Sequence, residues 1–421
     1  MTGAIHHRRD TCRICGSSAL RQILSLGPMP LANAFLSSPA EFESERSFPL
    51  DVRFCEGCTF VQLVDVVAPE VLFRHYLYTS GTSDTMSAHH QSLAGRVVEA
   101  LPVNRGDLVV EVASNDGSLL RCFQPFGVRV LGVEPARNIA AMASAASIET
   151  ITEFFTPEVA LGVRAKHGPA SAVLANNVLA HVDDPREFLA GARLLVEPAG
   201  SVVVEVPYVG DLLDRLAYDT IYHEHLGYFS VGAFVALAES VDLTIARIDR
   251  IPVHGGSLRV WFSPRGREHH QHGTSVLELL GTERAAGLHD LDRYSRFSAQ
   301  VEGNRRQLVD MLIGMRADGR TVAAYGAPAK GNTLLNYCGI TADLVAFTVD
   351  KNPLKVGLLT PGSHIPVLPV SAIAERQPDY LLLLAWNFAD EIMRQQSAYV
   401  AAGGRFILPI PQPTVVAGAL T

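Results

Sequence analysis

The fold class follows from one stretch of the chain, which runs Leu108-Val109-Val110-Glu111-Val112-Ala113-Ser114-Asn115-Asp116-Gly117. Its first half is apolar apart from one acid, a composition typical of a buried strand. Its second half is small and polar and ends in glycine. Because ligands collect at the carboxyl ends of strands in open α/β sheets, the stretch predicts a cofactor-binding turn.

Similar apolar stretches recur along the chain and alternate with predicted helices. An amphipathic helix is predicted around 87–101, and apolar strand candidates follow the first at 130–133, 172–175 and 201–206. Alternation of helix and buried strand from about 85 to 286 predicts a parallel α/β sheet.

The turn favours S-adenosylmethionine (SAM) over a dinucleotide. The glycines of a G-x-G-x-x-G fingerprint are replaced by Ala113, Asn115 and Ser118. Glu134 ends the second strand, where its carboxylate can accept hydrogen bonds from both ribose hydroxyls. An aromatic pair, Phe154-Phe155, would lie after a third strand that ends before residue 153, and the pair Asn176-Asn177 ends the next strand, at 172–175. The predicted SAM-binding residues are Glu111, Ser114, Asn115, Asp116, Gly117, Glu134, Glu153, Phe154, Phe155, Asn176 and Asn177.

Four cysteines predict a structural zinc site. Cys12 and Cys15 form one C-x-x-C pair, and Cys55 and Cys58 form another. A gap of two residues lets both thiolates of a pair face one ion, and four thiolates suit tetrahedral zinc without an open position. Redox pairs or unligated thiols are the alternative. Residues 1–80 are therefore predicted to be a small zinc-binding module, residues 81–286 a SAM-binding domain, and 287–421 a third domain.

The last third of the chain predicts a second doubly wound, Rossmann-like domain. A strand at 321–325 leads into a glycine-rich loop and a helix that starts near Thr333. Further strands are predicted at 344–349 and 380–385. Amides at such a helix start, with one lysine, suit a diphosphate. A purely structural lobe is the alternative.

A cluster of titratable groups lies between these regions, in Tyr222-His223-Glu224-His225-Leu226-Gly227-Tyr228-Phe229-Ser230. Two imidazoles, a carboxylate and two phenols within seven residues are not typical of a hydrophobic core. Together with a cofactor turn, they predict acid–base chemistry in an enzyme.

Composition excludes several other classes. The 421 residues are too many for one core, and the net charge of −8 argues against a dedicated nucleic-acid binder. No apolar stretch reaches membrane-spanning length, and no secretory signal precedes the cysteines. We expect a cytoplasmic protein with reduced cysteines and no nucleic-acid or membrane partner. The oligomeric state stays open, and a monomer is compatible with the sequence.

Taken in order, these motifs resemble a known family. The cysteine quartet, the Ser-Asn-Asp-Gly turn, Asn176-Asn177-x-x-x-His181 and Tyr-His-Glu-His-Leu-x-Tyr-Phe-Ser together resemble the sugar C-methyltransferases of antibiotic biosynthesis, over essentially the whole chain. The chain closely resembles the branch that methylates C-3′ of a dTDP-linked 3-amino-4-keto sugar on the way to tetronitrose. Ala113 is one departure, because glycine is usual there in the wider SAM-dependent superfamily.

The resemblance implies a dTDP-linked 4-keto sugar as substrate and an enolate mechanism. His225 and His181 are then the candidate bases, with His225 favoured, Glu224 orienting an imidazole and Tyr222 donating to the enolate oxygen. The predicted substrate-binding residues are Tyr76, Tyr78, Ser80, Gly81, Tyr325, Gly326, Lys330, Gly331, Asn332 and Asp350. The alternatives are a zinc-ribbon RNA methyltransferase and a nucleotide-sugar dehydrogenase or epimerase. An RNA methyltransferase would need a basic aromatic surface, and a dehydrogenase or epimerase would need a glycine fingerprint. The sequence shows neither feature.

Overall fold

A computed structural model describes residues 5–74, 81, 84–265 and 273–417. Tyr76, Tyr78 and Ser80, three of the predicted substrate-binding residues, lie outside the described residues. Two compact units make up the chain. The first contains Met1–Arg21, Arg53–Val209 and Leu226–His289, and the second contains Gln22–Val52, Gly210–His225 and Asp290–Thr421. The domain boundaries after residues 80 and 286 stay predictions.

A seven-stranded sheet forms the centre of the first unit. Its strands are β1 (Leu108–Val112), β2 (Arg129–Val133), β3 (Thr150–Ile151), β4 (Ala170–Asn176), β5 (Val196–Pro207), β6 (Leu243–Ile251) and β7 (Ser257–Pro264). They lie in the order β3-β2-β1-β4-β5-β7-β6. The first five strands are parallel, whereas β7 is antiparallel to both β5 and β6. The order reverses between β1 and β4, so their carboxyl ends form the crevice where such sheets bind ligands.

Burial on both faces explains why the central strands are so apolar. Every residue of β1 is buried, as are nearly all residues of β4, as expected for a parallel sheet covered by helices. The helices of this unit are Pro69–Phe73, Asp84–Ala100, Ser118–Phe123, Arg137–Ala145, Pro157–His167, Pro185–Leu195, Val231–Ser240 and Thr274–Ala285. The predicted parallel sheet is thus confirmed, while the antiparallel pair β6 and β7 was not predicted.

Short strands surround the cysteines in the N-terminal part of the first unit. His6–Arg8 pairs with Asp65–Val67, and Val61–Leu63 pairs with Gly227–Tyr228, both antiparallel. Leu20–Ser25 and Asp51–Cys55 are further strands in this part of the chain. In the second unit, Met29–Pro30 pairs with Ser47–Phe48, and Pro39–Ser44 is a 3₁₀ helix.

A six-stranded sheet organises the second unit. Its strands are β8 (Val322–Tyr325), β9 (Thr348–Val349), β10 (Val367–Leu368), β11 (Tyr380–Leu383), β12 (Arg405–Leu408) and β13 (Thr414–Val416), in the order β10-β9-β8-β11-β12-β13. Its helices are Leu291–Ala317, Ala329–Cys338, Ala372–Arg376, Ala389–Gln395 and Ser397–Ala401. This order confirms a second doubly wound, Rossmann-like fold.

Two details of that sheet differ from the sequence predictions. The helix after β8 begins at Ala329, four residues before the predicted start. Pro328 precedes it, and proline is compatible with the start of a helix. Of the predicted strand at 344–349, only Thr348–Val349 pairs with its neighbours. Among the described residues, no helix combines the length and apolar character that crossing a membrane requires.

Candidate active site and zinc site

The four predicted cysteine ligands converge in the first unit. The Sγ atoms of Cys12 and Cys58 lie 3.5 Å apart, as do those of Cys15 and Cys55. All four sulfur atoms lie within 4.8 Å of one another. Zinc–sulfur bonds of about 2.3 Å place tetrahedral ligands about 3.8 Å apart. The cluster therefore fits one zinc ion, and none of its cysteines is in a disulfide.

The turns around the cysteines are shaped for this ligation. The Ile14 amide lies 3.4 Å from the Cys12 Sγ and donates to it. A Cβ atom at Gly57 would lie 3.4 Å from the Cys15 Sγ, an ordinary contact distance, so this turn lies directly against the sulfur atoms. Three of the ligands are buried. Four thiolates leave no open position, so the site is structural.

The first cysteine turn also holds the loop that follows His181. Arg13 is fully buried, and its Nε donates to the Asp183 Oδ1 over 3.1 Å, while its Nη1 donates to the Leu63 carbonyl. Arg9 donates to the Asp183 carbonyl over 3.0 Å. Burial lowers the pKa of Arg13 to about 10, which leaves it charged at neutral pH. The zinc-binding turn thus fixes the chain two residues beyond a candidate base.

The predicted cofactor turn has left-handed backbone at three positions. Ala113 has a φ of 55°, Asn115 of 50° and Gly117 of 72°. The Glu134 carboxylate holds the turn in place, because its Oε2 accepts from the Asn115 amide (2.9 Å) and its Oε1 accepts from the Ala136 amide (2.8 Å). Ala113 tolerates a conformation that glycine adopts more easily, so the departure from the family pattern leaves the turn intact.

Several buried polar atoms at the carboxyl ends of β1 and β4 have no hydrogen-bond partner among the described residues. They are the Glu111 Oε2, the Ser114 Oγ and both terminal atoms of the Asn176 side chain. Burial raises the pKa of Glu111 well above its ordinary value. Native structures rarely leave such atoms unsatisfied. A polar cofactor at the carboxyl ends of β1 and β4 would satisfy them, so the residues present fit SAM.

Asp116 connects the cofactor turn to the segment before it. Its Oδ2 accepts from the Gly81 amide (3.2 Å) and its Oδ1 from the Ser118 amide (3.1 Å). A Cβ atom at Gly81 would lie 2.5 Å from the Asp116 Oδ2. Gly81, which the sequence analysis assigned to the substrate, therefore packs against the cofactor turn.

The three residues after β3 have different environments. The guanidinium carbon of Arg74 lies 4.5 Å from the centre of the Phe154 ring, and its Nη2 lies 3.9 Å from the Glu153 carboxylate. Phe155 instead packs edge-on against Phe188, with ring centres 5.3 Å apart. The face of the Phe154 ring thus contacts a cation, whereas Phe155 contacts another aromatic ring. Arg74 was not singled out from the sequence, since a lone arginine has no distinguishing pattern.

A second group missed by the sequence analysis lies at the end of β5. The Glu205 Oε2 lies 2.7 Å from the His89 Nε2, and its Oε1 accepts from the Arg259 Nε over 2.5 Å. Burial alone would raise the pKa of Glu205, but the His89 hydrogen bond and the Arg259 charge lower it. Glu205 is the Cα partner of Asn176 in the sheet. Only the fold brings these distant residues together.

The candidate bases have defined surroundings. His181 ends a 3₁₀ turn in the first unit, with its ring centre 5.5 Å from that of Phe73. In the second unit, the His225 Nδ1 lies 2.7 Å from the Thr220 carbonyl and its Nε2 lies 3.0 Å from the Tyr222 hydroxyl. A carbonyl only accepts, so Nδ1 carries the hydrogen. In the neutral ring, Nε2 is then the acceptor and Tyr222 the donor.

The other residues of the titratable stretch have structural contacts. The Glu224 Oε1 accepts from the Asn33 Nδ2 over 2.6 Å, and the Thr220 carbonyl orients the His225 ring through its Nδ1. The His223 Nε2 lies 3.1 Å from the Phe48 carbonyl. In the first unit, the Ser230 Oγ caps the helix Val231–Ser240 by accepting from the Ala233 amide.

The glycine-rich loop of the second unit is tightly packed. A Cβ atom at Gly331 would lie 2.7 Å from the Leu384 Cβ, and Gly326 has a φ of 89°. Buried Asn332 donates to the Ala32 carbonyl over 2.7 Å. Asp350 accepts from the Ala327 amide over 2.7 Å. Asp350 therefore holds the loop, while Asn332 fixes the helix that follows it to Ala32.

Tyr325 and Lys330 lie on either side of this loop, in β8 and in the helix Ala329–Cys338. The Lys330 Nζ is hydrogen-bonded to the Asn387 side chain and lies 4.3 Å from the centre of the Trp386 ring. Burial lowers the pKa of Lys330 to about 8. Tyr325 is the last residue of β8 and is buried. Lys330 is the one cation that the predicted substrate-binding set contributes.

Comparisons with known proteins agree with this arrangement. Residues 12–73 match the family model of a zinc binding domain, 86–248 a model described as "Methyltransferase domain", and 252–411 a "C-methyltransferase C-terminal domain". The C-methyltransferase NovU of Streptomyces niveus is 40% identical over 412 residues, which cover 98% of each chain.

Two solved structures are more distantly similar. Magnesium protoporphyrin IX methyltransferase (ChlM) from Synechocystis PCC 6803 with bound SAM has a TM-score of 0.34 and 13% identity, over 45% of this chain and 88% of its own. The CcbJ methyltransferase from Streptomyces caelestis has a TM-score of 0.33 and 16% identity, over 42% and 90%.

The 40% identical relative and the matching family models show a SAM-dependent C-methyltransferase, and the doubly wound sheet and the cysteine cluster agree with it. The chain belongs to the C-methyltransferase family that includes NovU.

Proposed function

We propose that this enzyme methylates C-3′ of a dTDP-linked 4-keto-deoxysugar, with dTDP-3-amino-2,3,6-trideoxy-4-keto-D-glucose as the substrate, in a pathway towards tetronitrose. The motifs shared with sugar C-methyltransferases support the substrate class. The observation that carries the proposal is the Tyr222–His225 pair, with its Nε2–hydroxyl distance of 3.0 Å. The proposal includes a cytoplasmic location, where nucleotide sugars are made.

Methylation of carbon requires a carbanion equivalent, and a ketone supplies one. The 4-keto group acidifies the C-3 proton, so a base that titrates near neutrality is suited to remove it. His225 fits this role because the Thr220 carbonyl fixes Nδ1 as the protonated atom, so that Nε2 is the ring nitrogen that can accept a proton.

Tyr222 completes the proposed step. When its hydroxyl turns from Nε2 to the C-4 oxygen of the sugar, it frees the lone pair and supplies a donor to the developing enolate. The C-3–H bond breaks, its proton moves to the His225 Nε2, and the electron pair of that bond becomes the enolate. The enolate carbon would be the nucleophile for the methyl group of bound SAM, whose S–CH3 bond would break to leave S-adenosylhomocysteine. Holding the reactants in line lowers the barrier by several kcal/mol.

SAM supplies that methyl group as an electrophile on its sulfonium. Residues of the first unit would hold it: Glu134 at the ribose, Phe154 at the adenine, and the orphaned atoms of Glu111, Ser114 and Asn176 at its polar groups. Asn115, Asp116, Gly117 and Asn177 shape the turns around it.

We propose that the glycine-rich loop of the second unit holds the diphosphate. The amides at the start of the helix Ala329–Cys338 and Lys330 supply the positive potential. Asp350 holds the Ala327 amide, Gly331 lets the helix pack against Leu384, and Asn332 donates to the Ala32 carbonyl. Tyr76, Tyr78 and Ser80 precede Gly81 in the chain and are proposed to contact the sugar.

The test is a reaction with SAM and the dTDP-3-amino-4-keto sugar, read by mass spectrometry and NMR. We expect a product heavier by one methylene, with the new methyl carbon bonded to C-3. The 4-hydroxy analogue of the same sugar is the matched control and should not react, because it has no acidic C-3 proton. A methyl group on oxygen or nitrogen, or equal reaction of the 4-hydroxy analogue, would contradict the proposal.

A further inference from the structure

The Thr220 carbonyl that orients His225 belongs to a short 3₁₀ turn, Tyr218–Thr220, in the second unit. The first residue of the turn is anchored. The buried Tyr218 hydroxyl donates to the Asn304 Oδ1 over 2.9 Å. The Asn304 side-chain amide in turn donates to the Pro409 carbonyl over 2.8 Å. The turn is therefore attached to the long helix Leu291–Ala317 and to the segment that follows β12.

The middle residue of the turn has a separate anchor. Asp219 is fully buried, and its Oδ2 accepts from the Trp386 indole Nε1 over 2.6 Å. Trp386 begins the 3₁₀ turn that follows β11. Burial raises the pKa of Asp219, and the positive charge of Lys330 and the Trp386 hydrogen bond oppose that rise. The carboxylate is thus held by one neutral donor and one neighbouring charge.

Loss of the indole donor would act directly on the base. A buried carboxylate without its hydrogen bond must take up a proton or move towards water. Asp219 directly precedes Thr220 in the chain. Any such movement of Asp219 therefore displaces the Thr220 carbonyl, which accepts from the His225 Nδ1. Catalytic groups lose much of their effect when misplaced by about 1 Å.

We infer that Trp386 and Asp219 are positioning residues of the Tyr222–His225 pair. They act through the Thr220 carbonyl and need no contact with the reacting atoms. The inference rests on the proposed function, because it assigns the second doubly wound sheet a part in holding the base. It gives that sheet a role beyond binding the nucleotide.

The chain supplies a matched control. The chain contains two tryptophans, Trp261 and Trp386. Trp261 also donates its indole hydrogen to an aspartate, with 3.0 Å between its Nε1 and the Asp249 Oδ2. Trp261 lies in β7 of the first unit. Trp386→Phe and Trp261→Phe therefore remove the same kind of hydrogen bond, but only the first removes one next to Thr220.

The experiment measures exchange of the substrate C-3 proton with deuterated water, in the presence of S-adenosylhomocysteine. We expect Trp386→Phe and Asp219→Ala each to slow exchange by about tenfold to a hundredfold, and the double variant to be no slower than either alone. Asp219→Asn keeps an oxygen acceptor for the indole and should retain most of the rate, as should Trp261→Phe. Exchange at the original rate in Trp386→Phe and Asp219→Ala, or additive losses in the double variant, would overturn the inference.

A spectroscopic readout separates this inference from the proposed base. Nitrogen NMR of the histidines should show His225 protonated at Nδ1 in the original enzyme and in Trp261→Phe, and a mixture of tautomers in Trp386→Phe. If His225→Asn retains proton exchange, the proposed base is wrong, whereas the tautomer measurement still decides whether Trp386 positions the ring. An unchanged His225 spectrum in both Trp386→Phe and Asp219→Ala contradicts the positioning role.

Discussion

At the scale of single residues, Glu134 shapes the predicted cofactor turn and is proposed to bind the ribose of SAM. Its carboxylate oxygens already accept from the amides of Asn115 and Ala136, which sets the shape of the turn. Each oxygen has a further lone pair for a ribose hydroxyl. We therefore propose that the acid is a ligand of the cofactor as well as part of the turn.

We predict that Glu134→Ala weakens SAM binding, by about 1.5–3 kcal/mol for each charge-assisted hydrogen bond lost. Calorimetric titration with SAM measures the change. Zinc content and affinity for dTDP are the internal controls and should stay the same, because neither depends on the end of β2. Unchanged SAM affinity would show that Glu134 does not bind the ribose.

His90 makes the stability of the protein depend on pH. Its Nδ1 lies 3.2 Å from the Ser118 hydroxyl, and burial together with the neighbouring His89 lowers its pKa to about 4. Above the unfolded pKa of about 6.5, both states are neutral and the effect vanishes. Between these values the unfolded chain binds a proton that the folded chain does not, so stability falls as the pH falls.

We predict that this group alone costs about 2 kcal/mol of stability between about pH 7 and pH 5. Denaturant midpoints at the two pH values measure it. His90→Gln has no titrating ring and should show a smaller difference between the two midpoints. An equal difference in the variant would mean that other groups cause the pH dependence.

At the scale of elements, the zinc site matters through what its turns hold. Arg13 follows a ligand directly and pairs with Asp183, so ligation at Cys12 fixes a side chain that contacts the loop after His181. Structural zinc sites contribute folding free energy. The metal is thus linked to the active-site edge of the sheet without taking part in the reaction.

Elemental analysis should find about one zinc per chain in protein purified without chelators. A strong chelator should lower the unfolding temperature, and re-addition of zinc should restore it. Cys122→Ser is a matched control, because Cys122 lies outside the cluster and should leave the zinc content unchanged. Absence of metal, or a disulfide within the cluster, would contradict the prediction.

The sequence alone predicted some strands of the first unit's sheet and missed others. Strands β1, β2, β4 and β5 were predicted within a few residues because apolar runs between turns are a strong local pattern. The pair β6 and β7 was missed, since charged residues such as Arg247, Asp249 and Arg259 interrupt their apolar pattern. The partners of those charges, such as Glu205 for Arg259, are known only once the sheet is formed.

At the scale of the whole molecule, the titratable stretch is divided between the two units after His225. Its first half carries the Tyr222–His225 pair, and its second half supplies a strand residue at Gly227 and a helix cap at Ser230. The sequence indicated that the stretch mattered but gave no means of separating the two halves. Contacts such as the one between Thr220 and His225 depend on backbone geometry, which residue types do not encode.

The central claim is that His225 removes the C-3 proton, and one measurement tests it most directly. It is the exchange of that proton with deuterated water in His225→Asn, with Tyr222→Phe and His181→Asn measured alongside. We predict that His225→Asn binds SAM and dTDP normally yet loses both exchange and methyl transfer, and that Tyr222→Phe slows both less. Exchange that persists in His225→Asn and disappears in His181→Asn would contradict the claim and make His181 the base.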